Sequence, residues 1–189
     1  MRRKCYNYRI NTLYLIHNTF YIICHNIRSL YNVGSIFRTA EALGVDKIFL
    51  TGYTGTPKNP RLAKTALGAE HIVAWEYQKQ LGRVLDKLER EGFAIVALEN
   101  NIPPLSPTSP NPSSGRRGMN GQGEKTTPLS KFKPKFPLAL VLGEEVRGTP
   151  TRFLKMCDKI VEIPMLGEKE SLNVSVAGGI AMYYVSTKR

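Results

Sequence analysis

Hydrophobic positions along the chain fall into two rhythms. Unbroken apolar runs stand at 20–24 (FYIIC), Lys47–Thr51 (KIFLT), 93–98 (FAIVAL) and Leu138–Leu142 (LALVL). A further run opens at Lys159 with Ile160, Val161, Ile163 and Met165, and Pro164 stands near its end. Runs of this length predict buried strands, and residues 71–75 predict a brief additional one. The second rhythm is helical. Ile36, Phe37, Ala40 and Leu43 follow Val33, with Asn32 placed to cap the helix and Gly44 to stop it. Leu81, Val84, Leu85 and Leu88 predict an amphipathic helix ended by Gly92. Residues 61–67 predict a short helix, and Thr149-Pro150-Thr151 opens another through about Cys157. A last apolar segment covers 174–185. Strands alternating with helices predict an α/β domain with a mostly parallel sheet flanked by helices.

The C-terminal stretch has one more feature. A polar loop, 166–173, carries Gly167, Ser171 and Asn173 between the last strand and the last helix. The helix holds Ala177, Gly178, Gly179 and Ala181, whose small size lets another backbone come close. Short polar side chains and the amides of a helix start make a place to hold a small polar ligand.

Composition alters this picture in two places. Residues 101–137 are rich in proline, glycine, serine and threonine and poor in apolar residues, so they read as an insertion that does not order itself. Its glycines at 115, 118, 121 and 123 lack the preceding strand and following helix of a phosphate loop. Residues 1–17 form a poorly defined basic leader, leaving 18–189 as the domain. The formal net charge of +12 points to an anionic partner. Much of that excess rides on the two irregular segments: 1–17 holds four basic and no acidic residues, and 101–137 six basic and one acidic.

No apolar run approaches a membrane span. The N-terminal apolar stretch is broken by Asn11, His17 and Asn18 and has no small-residue cleavage site, so a cytoplasmic protein is expected. Cys5, Cys24 and Cys157 show no metal-ligand spacing and are expected as reduced thiols, with no metal.

Polar residues gather after three strands: Asn32 and Arg38 after the first, Glu145 after 138–142, and Ser171 and Asn173 after the last. In open α/β sheets, ligands bind beyond the carboxyl ends of the strands. The stretch Asn32-Val33-Gly34-Ser35-Ile36-Phe37-Arg38-Thr39-Ala40 resembles the first motif of the SpoU (TrmH-like) group of SPOUT RNA methyltransferases. Leu142-Gly143-Glu144-Glu145-Val146-Arg147-Gly148 resembles the second motif. Ile163-Pro164-Met165 through Ser171-Leu172-Asn173-Val174-Ser175-Val176-Ala177 resembles the third, in the same order.

The resemblance implies a SPOUT fold whose C-terminal part threads into a deep trefoil knot, an exception to the rule that chains avoid knots. It implies S-adenosylmethionine as cofactor, held around Leu142, Gly143, Ile163 and Leu172. It also implies a homodimer, with the last helix and its glycines against the partner. The implied reaction is methyl transfer to a ribose 2′-hydroxyl of tRNA or rRNA. Arg38 matches the family's catalytic arginine, Asn32 and Glu145 would orient it and the ligands, and Ser171 and Asn173 would line the pocket. The insertion at 101–137 departs from the family pattern. Two other readings remain at this point: an RNA-binding protein on the same fold without chemistry, and a nucleotide-binding α/β protein without RNA.

Overall fold

A computed structural model describes residues 18–100, 126–145 and 147–189. The leader 1–17 and the glycine series at 115–123 lie outside the described residues. The strands are β1 (Phe20–His25), β2 (Lys47–Thr51), β3 (Ala74–Gln78), β4 (Ala94–Leu98), β5 (Thr127–Pro128), β6 (Leu138–Leu142) and β7 (Lys159–Glu162). They form one sheet in the order β3-β2-β1-β6-β4-β7-β5. All six neighbouring pairs are parallel. The helices are α1 (Leu30–Ala42), α2 (Pro60–Ala66), α3 (Leu81–Arg90), α4 (Thr151–Leu154) and α5 (Val174–Ser186).

Parallel strands need crossovers, and the crossover helices cover both faces. Side chains alternate across the sheet. Ile22, Cys24, Ile48, Leu50, Leu140 and Leu142 face α1, α2 and α5, where Ile36, Phe37, Leu62 and Met182 join them in one core. Ile23, Phe49, Ile95, Ala97 and Val141 face the other way, against Leu81, Val84, Leu85 and Leu88 of α3. Every residue of β6 is buried, as its apolar run predicts for a central strand.

Two glycines let helices come close. A Cβ on Gly34 would run into Thr65 Oγ1 and Leu62 O, so α1 and α2 pack backbone against backbone there. A Cβ on Gly178 would stand 2.8 Å from Leu142 Cδ1, which seats α5 on the end of β6. Gly178 thus serves packing within its own chain, a correction to the expectation that the α5 glycines face a partner. The exposed apolar residues of α5 are Val176, Ile180 and Tyr183.

Four other expectations shift. Helix α1 begins at Leu30, and its cap is Ser29, whose Oγ accepts the Asn32 N–H at 3.3 Å. Asn32 therefore sits inside the first turn and its side-chain amide is left for other work. The brief strand expected at 71–75 lies further along, because Ala69–His71 forms a 3-10 turn and β3 starts at Ala74. The helix expected through Cys157 is the single turn α4. The chain must turn beyond it to bring Asp158 to β4, where its carboxylate accepts the Ile95 N–H at 2.7 Å.

The fourth correction concerns residues 126–137. They contain β5 and a 3-10 turn at Leu129–Lys131, and Leu129 and Phe132 are buried in the main core. Tyr184 Oη donates to Phe132 O at 2.7 Å, with Ser130 O at 3.2 Å, tying this strap to α5. Composition over a long window hid two well-spaced core anchors. No helix among the described residues is long and apolar enough to cross a membrane.

Candidate functional site

A cleft opens at the carboxyl ends of β4, β6 and β7. Its apolar wall includes Leu98, Leu142, Ile163, Met165, Leu172 and Val174. Its polar lining is Glu99, Asn100, Glu144, Glu145 and Ser171, and no lysine, arginine or histidine is among the described residues that line it. The cleft therefore carries three carboxylates without a cationic side chain in its described wall.

Contacts between segments far apart in the chain build the walls. The Asn100 side chain continues the sheet beyond β4: its Nδ2 donates to Ile163 O at 2.7 Å and its Oδ1 accepts the Ile163 N–H at 3.2 Å. Glu99 accepts the Thr149 N–H at 2.7 Å. The 144–148 loop closes on itself through Gly148 N–H to Glu144 O at 2.9 Å, with Gly148 at φ +65°. A Cβ at Gly143 would stand 2.6 Å from Thr149 N, so only glycine fits where this loop leaves β6.

Beside the cleft, side chains from the three motif stretches join in one hydrogen-bonded chain. Glu145 Oε1 accepts from Asn32 Nδ2 at 3.2 Å, and Glu145 Oε2 from the Arg28 N–H at 3.4 Å. Asn32 Oδ1 accepts from Asn173 Nδ2 at 3.2 Å. Asn173 Oδ1 accepts the Ser175 N–H at 2.9 Å and the Ser175 Oγ–H at 2.7 Å, capping α5. Each amide has one workable orientation, because a flipped Asn32 would turn its oxygen toward the Glu145 carboxylate. The Arg28 guanidinium lies 3.5 Å from Glu144.

Of the residues singled out from sequence, Leu142, Gly143, Ile163, Leu172, Glu145 and Ser171 line the cleft. Asn32 and Asn173 adjoin it through Glu145. Arg38 does not join them. It is exposed on α1 and has no hydrogen-bond or ion-pair partner among the described residues. Sequence reading missed Glu99 and Asn100, although their place directly after the 93–98 run is the strand-end signal that marked the others.

His25 ends β1, one residue beyond the apolar run 20–24, and it is buried. Burial, assisted by the Arg152 charge, pushes its pKa down to about 4. Thr51 Oγ1 gives its proton to Cys24 O at 3.2 Å, so the neutral ring donates from Nδ1 to Thr51 Oγ1 at 2.8 Å. Cys24 and Cys157 are free and buried, and burial raises both thiols to about 12, which leaves them unreactive.

An open parallel sheet with a polar-lined cleft at its carboxyl edge places this chain among the α/β proteins, whose ligands bind beyond the carboxyl ends of the strands. The chain matches the SpoU rRNA Methylase family over residues 19–183, and it belongs to that family. It is 29% identical over 170 residues to the putative TrmH family tRNA/rRNA methyltransferase YacO of Bacillus subtilis, covering 90% of this chain and 59% of that protein. It is 29% identical over 159 residues to the 23S rRNA (guanosine-2′-O-)-methyltransferase RlmB of Pseudomonas aeruginosa, covering 84% of this chain and 55% of that one. The chain thus spans somewhat more than half the length of these relatives. Its fold is similar to that of the SpoU methyltransferase AviRb from Streptomyces viridochromogenes in complex with AdoMet. The TM-score is 0.73 at 21% identity, covering 91% of this chain and 58% of that one.

Proposed function

We propose that the protein transfers a methyl group from S-adenosylmethionine to a ribose 2′-hydroxyl of tRNA or rRNA. The observation that carries this reading is the acid-lined cleft, bordered by the network that joins Asn32, Glu145 and Asn173. Family membership and the activity in the RlmB relative's name support the choice of reaction.

The residues present fit the cofactor. Its sulfonium and amino groups are cationic and would be favoured by Glu99, Glu144 and Glu145, while Leu142, Ile163 and Leu172 offer an apolar seat for the adenine. Gly143 would leave backbone groups within reach there. When bound, the cofactor supplies an electrophilic methyl. The chain's own task is then positioning more than covalent chemistry. Arg38 remains a guanidinium throughout, since that group is not deprotonated in proteins. Its role would be to hold an RNA phosphate or ribose and to stabilise negative charge developing on the attacking oxygen. Asn32 would hold Glu145 and Asn173 in register, and Ser171 would meet a ligand at the cleft mouth.

The same reading includes a homodimer, for which Val176, Ile180 and Tyr183 supply an exposed apolar face on α5. It also includes a knotted C-terminal segment and a cytoplasmic site of action. The deciding experiment is methyl transfer from labelled S-adenosylmethionine to total unmodified RNA, followed by digestion and mass spectrometry of the nucleosides. A 2′-O-methylated nucleoside is expected. A base-methylated product, or no cofactor binding, would overturn the reading.

A further inference from the structure

A second cavity lies at the opposite, amino edge of the sheet, where β4 and β7 begin. It is lined by Phe93, Ala94 and Val96 on the sheet side and by Phe132 and Phe136 of the strap, and its volume is about 780 Å³. Lys131, Lys133, Lys135 and Lys159 stand around it, all exposed. None of the four has an ion-pair partner among the described residues. The single carboxylate in the described lining, Asp158, is already held by the Ile95 N–H at 2.7 Å.

This arrangement is built by the fold. Near-extended backbone at Phe132 (φ −70°, ψ 132°) puts alternate side chains on opposite sides. Phe132 enters the core and Phe136 meets Phe20 edge-to-face at 6.5 Å, while Lys131, Lys133 and Lys135 are left in solvent. The Tyr184 hydroxyl pins the strap from behind. Four unpaired cations around an apolar hollow of nucleotide size match a polyanion that also presents flat apolar faces.

We propose that this cavity is an auxiliary RNA-binding site, gripping the phosphodiester backbone of a single-stranded stretch of substrate. The assignment rests on the RNA-methyltransferase reading for its choice of polyanion. Single-strand binding sites pair a cationic track with apolar or aromatic surface; the strap's lysines supply the track and the half-buried Phe136 the aromatic edge.

The test uses the full chain and a labelled mixed-sequence RNA of about 20 nucleotides. Each phosphate contact to single-stranded nucleic acid adds roughly 0.7 to the slope of log affinity against log salt. The triple variant Lys131→Ala/Lys133→Ala/Lys135→Ala should therefore lose about 2 from that slope and bind at least about tenfold more weakly. The matching triple Lys→Arg variant should restore both. Bound RNA should also protect these three lysines from acetylation, read by mass spectrometry, while Lys47, paired with Glu76, serves as the reference. Unchanged affinity and slope in the alanine variant, or equal acetylation with and without RNA, would overturn the site. The two readings fail separately. Methyl transfer by the starting protein with no effect of the lysines sinks only the cavity, whereas lysine-dependent RNA binding without methyl transfer sinks only the enzyme.

Discussion

The two ends of the same strands present opposite chemistry. At the carboxyl edge, Glu99, Glu144 and Glu145 line a cleft that has no cation in its described wall. At the amino edge, Lys131, Lys133, Lys135 and Lys159 surround a larger hollow. Strand β4 runs between them for five residues, which at about 3.3 Å each is roughly 16 Å. That exceeds the screening length of about 8 Å at physiological salt, so each edge keeps its own potential. A protein that must hold a cationic cofactor and a polyanionic substrate gains from such separation, because one surface cannot favour both. On the reading proposed here, Arg38 on the exposed side of α1 brings a cation to the RNA without placing one in the cofactor's wall.

The sharpest attack on the catalytic half is Arg38→Ala. Methyl transfer should fall by at least about a hundredfold in single-turnover assays, the scale of losing one transition-state charge partner. Cofactor affinity should hold. Full activity would remove Arg38 from catalysis.

The strap offers a paired contrast of fold against surface. Phe132→Ala should cost about 3 kcal/mol in urea unfolding, as for other buried phenylalanines. Lys133→Ala, one residue away and exposed, should leave the unfolding midpoint in place. Equal stability of the two variants would mean the strap is not anchored through Phe132.

Asn32→Ala removes hydrogen bonds to both Glu145 and Asn173. With each bond worth about 1 kcal/mol, methyl transfer should fall about thirtyfold, and Asn32→Asp, which cannot donate to Glu145, should not restore it. Activity equal to the starting protein would show that the network is not needed.

A last contrast concerns pH. His25 titrates near 6.5 when unfolded and at about 4 when folded. Between these values the unfolded chain binds the extra proton, so stability should fall as pH drops through that window. The urea midpoint of His25→Asn should change less over the same range. A parallel decline in both proteins would assign the acid sensitivity to other groups.

Much of this molecule is legible in its amino-acid order. The runs KIFLT and LALVL coincide with β2 and β6 because their apolar content suits burial on both faces. Leu81 to Leu88 sits on the buried stripe of α3 for the same local reason. Strand ends and motif order point to the site residues, and both signals lie along the chain. Ser29 takes the cap from Asn32 because both residue types suit that position, and Glu145, 113 residues away, together with Asn173, draws the Asn32 amide elsewhere. The strap is hidden for a related reason. Leu129 and Phe132 sit in a proline-rich window, and their burial depends on β7 and α5 arriving beside them.

The sequence alone thus determined the parallel α/β class, the central strands and the family, because each rests on local patterns of apolar and motif residues. Tertiary structure decided which amides pair, that Gly178 packs on Leu142, and that carboxylates and lysines part to opposite edges of one sheet. These depend on distances between segments far apart in the chain, and no local pattern encodes them.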